Sequence, residues 1–193
     1  MTDAANKTSA GASLEERLRA VRLVALDVDG VLTDGSVIYD GDRELQRFHV
    51  HDGAGLVWLV RAGVRLAWIS GRGCDATRRR AEELGVDELH LGSGPKDVVL
   101  AGVQERLGIP VEETLAMGDD WPDFALARRA GLFACPADAR PEVRDRADWI
   151  ARANGGRGAV RELCEALLRA RGDFEERLAH YLGTHRPDGN GTR

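Results

Sequence analysis

Six short apolar runs, most of them followed by a stretch of helical spacing, recur through this chain and leave it few folds to choose from. They lie near Leu23–Leu26, Arg65–Ile69, Glu88–Leu91, Thr114–Met117, Leu132–Ala134 and Trp149–Ile150. Helical patterns cover Gly53–Ala62, Asp75–Leu84, Lys96–Leu107, Pro122–Ala130 and Gly158–Arg171. Continuous apolar runs suit strands buried on both faces, and β-α alternation with short Gly-rich links builds a parallel sheet covered on both sides. Right-handed crossovers then make the fold class α/β, a doubly wound three-layer αβα sandwich with a mainly parallel sheet. Ligand sites in such sheets lie at the carboxyl ends of the strands.

One segment departs from the alternation. Ser36–Tyr39 and Glu44–Val50 flank Asp40-Gly41-Asp42, a turn signal between two β-prone runs, which predicts a β-hairpin flap over 36–50. An isolated hairpin is marginal in water, so this one needs a support, for which a neighbouring subunit is a natural candidate. Residues 1–12 are expected to be disordered, 13–172 to form the domain, and 173–193 to hold a helix over Asp173–Leu182 and a mobile tail. No internal repeat is visible. No insertion large enough for a cap domain follows the first strand or separates the second from the third.

Composition removes several classes of function. The chain has 193 residues, enough for one domain with a real core, and 43% of them are apolar. No uncharged apolar run approaches the ~18 residues of a membrane span, so no membrane partner is expected. Met1–Ser13 is polar and small, unlike a secretory signal. A net charge of −5 argues against nucleic acid as the main partner. Three scattered cysteines, Cys74, Cys135 and Cys164, read as reduced thiols of a cytoplasmic protein.

Polar clusters end four successive predicted strands. Asp27 and Asp29 follow the first, and in extended geometry residues two apart point the same way, into one small volume. Two like charges that close need a cation or a shared proton. Ser70-Gly71-Arg72 follows the second, where a hydroxyl and free N–H groups opening a helix would make an anion pocket; Ser70 as a plain N-cap is the competing reading. Lys96 opens a helix after Gly92-Ser93-Gly94-Pro95, either facing the same edge or simply exposed. Gly118-Asp119-Asp120-Trp121-Pro122-Asp123 follows the fourth, and its acids could equally cap the helix behind them. Jointly they supply what phosphoryl chemistry needs: a carboxylate nucleophile, hard oxygens for Mg²⁺, a hydroxyl for a phosphate oxygen and a lysine to hold charge. Arg78-Arg79-Arg80 is by default a solvated helix face.

Asp27-Val28-Asp29-Gly30-Val31-Leu32-Thr33, Ser70, Lys96 and the Gly118–Asp123 cluster resemble, in order, the four motifs of the haloacid dehalogenase superfamily. The hairpin, Phe48 with Asp52-Gly53-Ala54-Gly55, Ile69–Arg72 and Gly155–Glu162 are similar to its capless 3-deoxy-D-manno-octulosonate 8-phosphate phosphatase subfamily, over about Leu23 to Arg171. The resemblance implies Asp27 as nucleophile, Asp29 as general acid and then base, and Lys96 and Ser70 on the phosphate. It implies Mg²⁺ on the Asp27 and Asp119 carboxylates and the Asp29 carbonyl, with Asp120 and Asp123 behind them. Thr33, Gly71 and Arg72 would meet substrate, a small anionic sugar phosphate. Arg80 would reach the sugar acid from a neighbouring subunit of a homotetramer. Arg157 is either a substrate contact or a helix-start residue. Ser70 stands where most of the subfamily has Thr, and the tail after Arg171 has no clear match.

Rival readings are a phosphatase for a nine-carbon (nonulosonate) 9-phosphate and a non-catalytic tetramerising scaffold of the same fold. A scaffold need not keep Asp27, Asp29, Ser70, Lys96 and Asp119 together. A receiver domain would not need Asp29 or the hairpin. A phosphomutase normally needs a mobile cap to keep water out.

Overall fold

The structure is a computed structural model and describes residues 12–92 and 94–183. The expected disordered N-terminus, apart from Ala12, and the expected tail beyond Gly183 lie outside the described residues.

Strands β1 (Leu23–Leu26), β4 (Arg65–Ser70), β5 (Glu88–Leu91), β6 (Thr114–Met117), β7 (Leu132–Cys135) and β8 (Trp149–Ile150) form one parallel sheet in the order β5-β4-β1-β6-β7-β8. The order reverses at β1: the chain runs outward to β4 and β5 on one side, then returns to β6, β7 and β8 on the other. β1 therefore pairs with both β4 and β6, Leu26 lying opposite Trp68 and Met117. Crevices at such a reversal are where doubly wound sheets bind ligands.

The period of two along each strand sorts the core into halves. Val24, Leu26, Leu66, Trp68, Leu115 and Met117 face the helices α1 (Leu14–Ala20), α2 (Val50–Arg61), α3 (Asp75–Leu84) and α7 (Ala159–Arg171). Leu23, Ala25, Ala67, Ile69, Ala116 and Phe133 face α4 (Lys96–Leu107), α5 (Phe124–Ala127) and α6 (Pro141–Arg144). The expected αβα sandwich is present. α8 (Phe174–Tyr181) follows α7 and rests on α2 through Tyr181, whose hydroxyl accepts from Trp58 Nε1 at 3.2 Å. Among the described residues no helix is long and apolar enough to cross a membrane.

The hairpin is shorter than its β-prone residues suggest. β2 (Ile38–Asp40) and β3 (Arg43–Leu45) pair around Gly41-Asp42, with Gly41 at φ 60°, while Val50 already opens α2. β-propensity in Phe48 and Val50 yields to tertiary contact here: Phe48 stacks on Trp68 at 6.3 Å and starts the chain into the core. The helix predicted over Pro122–Ala130 is also broken, into a 3₁₀ turn (Trp121–Asp123) and α5, because Asp120 and Asp123 cap that turn reciprocally.

Candidate active site

The predicted clusters converge on one lip of the sheet. An open cleft of ≈ 350 Å³ is lined by Asp27, Asp29, Ser70, Gly71, Arg72, Lys96, Asp119, Asp120 and Asp123. β1 delivers Asp27, whose N–H donates to Met117 O at 3.0 Å and so prolongs the pairing with β6 by one residue. By strand parity the Asp27 side chain belongs to the Leu23/Ala25 face, and there the first residue of α4 meets it. Lys96 Nζ lies 2.9 Å from Asp27 Oδ1 and 2.6 Å from Asp123 Oδ1. Lys96 is buried rather than an exposed first-turn lysine. Burial works against its charge, but Asp27 and Asp123 outweigh it and hold the ammonium above its usual range.

Asp123 is the anchor of this corner. It is almost fully buried, and its second oxygen accepts from the backbone N–H groups of Asp119 at 2.9 Å and Asp120 at 3.2 Å. The Asp119–Asp123 loop is thereby tied to Lys96 through one carboxylate. Asp120 has the capping role that was the competing reading, its side chain accepting from Trp121 N at 2.8 Å.

Like-charge crowding falls elsewhere than the two-residue spacing suggests. Oxygens of Asp27, Asp119 and Asp123 lie within 4.8 Å of one another, whereas the Asp29 carboxylate faces Ser70 Oγ at 3.2 Å and Gln46 Nε2 at 3.1 Å. Beyond Leu26 the chain leaves the extended form: the N–H groups of Leu32 and Thr33 both turn back to Val28 O, at 2.9 and 3.1 Å, so Asp29 sits on a loop. Burial and then Asp123 push Asp27 up to about 7, against the pull of Lys96. Burial, Asp123, Asp27 and Asp120 push Asp119 up to about 8. Three hard oxygen donors held this close, two of them with ionisation disfavoured by burial and by their neighbours, suit a small divalent cation. With both Asp123 oxygens already engaged, Asp27 and Asp119 are the carboxylates free to hold it.

Gly30 sets the approach of Asp119. Its φ is +83°, and a Cβ there would stand 2.2 Å from Asp119 Oδ2. Only glycine satisfies both conditions.

Other predicted site residues have different positions. Ser70 ends β4 and is not a helix cap: α3 starts at Asp75 with Cys74 as its N-cap, so the expected helix-dipole pocket at Ser70-Gly71-Arg72 is absent. The Ser70 hydroxyl instead accepts from Arg72 N at 3.0 Å, folding the loop toward the cleft. Arg72 lines the cleft while its guanidinium pairs with Glu44 at 2.9 Å. Thr33 is buried, its oxygen accepting from Gly30 N and Gly35 N, and holds the loop closed. Arg80 is half-buried beside Phe48, Gly53, Trp68 and Leu84, away from the cleft of its own chain, and pairs with Glu83 at 3.0 Å. Arg157 pairs with Asp34 at 3.2 Å and does not line the cleft.

No protein-family model matches the chain. The 3-deoxy-D-manno-octulosonate 8-phosphate phosphatase KdsC of Escherichia coli K12 is 40% identical over 158 residues, 81% of this chain and 84% of that one. This chain belongs to the KdsC phosphatase family. The KdsC-family enzyme of Moraxella catarrhalis, solved with magnesium ion, phosphate ion and KDO, matches at a TM-score of 0.84 and 37% identity, covering 86% of this chain and 97% of that. The cobalt-bound Haemophilus influenzae enzyme matches at 0.80 and 35%, covering 82% and 93%. Membership in the wider haloacid dehalogenase superfamily, read above from four motifs, follows.

Sequence reasoning overlooked several residues that shape this KdsC-family site. Gln46, Thr77 and Glu44 bring the hairpin to the cleft, and the Gly155–Gly156 turn lies flat on the Asp27–Asp34 loop. A Cβ on Gly155 would stand 1.8 Å from Gly30 O, and one on Gly156 2.4 Å from the Thr33 carbonyl carbon. Both glycines stand in the Gly155–Glu162 stretch that carries the family resemblance, but the backbone contact that requires them appears only in the fold.

Proposed function

We propose that the chain is a Mg²⁺-dependent phosphomonoesterase that hydrolyses 3-deoxy-D-manno-octulosonate 8-phosphate through an aspartyl-phosphate on Asp27. The observation that carries the reading is the meeting of Asp27, Lys96 and Asp123 at the sheet reversal, with Asp119 within reach and Asp29 across the cleft. The KdsC relatives supply the sugar, and neither the nine-carbon reading nor the scaffold is favoured by them.

Asp27 attacks phosphorus while Asp29 gives its proton to the departing sugar oxygen; Asp29 then takes a proton from the water that hydrolyses the acyl phosphate. Lys96 orients the nucleophile through Oδ1 and neutralises charge on the phosphoryl group. Asp27, Asp119 and the Asp29 carbonyl would hold Mg²⁺, which when bound offsets the carboxylate crowding and the charge of the phosphate. Ser70 donates to a phosphate oxygen, and Asp123 fixes Lys96 from behind. Arg72 faces the sugar carboxylate, for which its forked guanidinium is suited.

The hairpin supports the proposed homotetramer. Val37, Ile38, Tyr39 and Leu45 leave a run of apolar side chains exposed beside an open cleft. A neighbouring copy covering them would also exclude water from the site and would bring Arg80 into play. Buried, unpaired Cys74, Cys135 and Cys164 support a cytoplasmic location.

The direct test is phosphate release from a panel of sugar and sugar-acid phosphates with Mg²⁺. Preference for the octulosonate ester, lost with EDTA and restored by Mg²⁺, is expected. A flat panel or a preference for a nine-carbon ester overturns the substrate, and EDTA-resistant turnover overturns the metal.

A further inference from the structure

We infer that Gln46, on the return leg of the hairpin, is a positioning residue for Asp29 and sets which of its carboxylate oxygens faces the leaving group. This rests on Asp29 acting as general acid, as proposed above. Gln46 Nε2 donates to Asp29 Oδ1 at 3.1 Å, and Ser70 Oγ donates to Asp29 Oδ2 at 3.2 Å. The far end of the same amide is fixed in turn: the hydroxyl of Thr77, buried on α3, donates to Gln46 Oε1. An amide nitrogen can only donate, and Asp29 Oδ1 accepts whether the carboxyl is ionised or carries its proton on Oδ2, so the contact at Nε2 admits one orientation of the amide.

The two oxygens of Asp29 are thereby made unequal. Gln46 has its amide locked by Thr77 and stays on Oδ1, whereas Ser70 is also a phosphate ligand in the proposed reaction. When Ser70 turns to the phosphate, Oδ2 is released toward the cleft. In the first step the Asp27 O–P bond forms, the bond from phosphorus to the sugar oxygen breaks, and the proton on Asp29 Oδ2 passes to that oxygen. A carboxyl free to rotate would spend part of its time with the proton turned away, and general-acid catalysis depends on holding it within hydrogen-bond reach.

The hairpin gains a second task. Arg72 to Glu44 at 2.9 Å and Cys74 Sγ to the Glu44 carbonyl at 3.7 Å fasten Glu44, two residues before Gln46, so the flap aims the acid within its own chain.

Leaving groups tell this role from a merely structural one. A sugar alkoxide needs a proton to depart, while p-nitrophenolate does not. Gln46→Leu is expected to lower kcat/KM for 3-deoxy-D-manno-octulosonate 8-phosphate about tenfold more than for p-nitrophenyl phosphate, a fraction of the usual worth of general-acid catalysis. Thr77→Val should move the same ratio in the same direction and by less, and Thr77→Ser should restore it. Equal losses on both esters, or no loss on either, overturn the proposal while leaving the phosphatase reading intact. Activity of the unaltered chain on the sugar ester tests that reading separately. A crystal structure of Gln46→Leu with phosphate bound gives an answer that needs no turnover: an Asp29 carboxylate rotated or displaced from its place in the phosphate-bound unaltered chain supports the role, and one held in that same place overturns it.

Discussion

Lys96 lies closer to Asp123, at 2.6 Å, than to Asp27, at 2.9 Å. The lysine thus bridges a buried anchor and the carboxylate proposed above as nucleophile. Asp123→Asn removes that anchoring charge and weakens the grip on the Asp119–Asp120 backbone. Activity is expected to fall about 10- to 100-fold, the usual effect of losing a group behind a metal or catalytic residue. Phosphate-release kinetics with a Mg²⁺ titration measure it; an unchanged kcat and Mg²⁺ requirement would remove Asp123 from the machinery.

Stability of the metal-free protein should decline as pH rises. Asp27 goes from 3.8 to about 7 on folding and Asp119 from 3.8 to about 8, so both bind their protons more tightly in the folded state. Groups raised in this way favour the fold when protonated, and that contribution drains away between pH ~4 and ~8. Mg²⁺ needs the ionised forms, so its stabilising effect should grow over the same range. Thermal melts in EDTA and in Mg²⁺ at pH 5.5 and 8 read this out, and a larger Mg²⁺ increment at pH 5.5 would contradict it.

Gly30→Ala combines a left-handed backbone with a Cβ 2.2 Å from Asp119 Oδ2. The conformation alone is expected to cost about 1–2 kcal/mol, and the displaced carboxylate should raise the Mg²⁺ concentration needed for half-maximal activity. Urea unfolding and a metal titration separate the two. A variant with native Mg²⁺ dependence would show that the loop yields without moving Asp119.

Arg72→Ala should raise KM for a sugar-acid phosphate by about tenfold, the scale of one charge-assisted hydrogen bond, and raise KM for p-nitrophenyl phosphate much less. Steady-state kinetics on the two esters decide the matter. Equal shifts would mean that Arg72 serves chiefly to fasten Glu44.

The layer order and the meeting of Asp27, Ser70, Lys96 and Asp119 in one cleft were legible because strand period and parallel topology bring strand ends to one edge whatever the details between them. Contacts made by loops were not. Asp29 was expected beside Asp27, but the chain coils at Val28 and carries it to Ser70 and Gln46. Arg80 gave no sign of turning inward, since a run of three arginines looks alike at every position and only helix phase against α2 separates Arg80 from exposed Arg78 and Arg79. Gln46 and Thr77 are ordinary residues whose pairing exists only once the hairpin meets α3.

The turn at Gly155–Gly156 lies against the backbone of Gly30 and Thr33, and Gly156 N–H donates to Val31 O at 2.9 Å. The support behind the Gly30–Thr33 loop is therefore supplied by residues made more than a hundred positions later. During synthesis the first strand emerges early, yet this support for the Gly30–Thr33 backbone exists only once the Gly155–Gly156 turn has left the ribosome. A nascent chain of this design leaves the loop beside Asp27 incompletely braced until its last strand has been made.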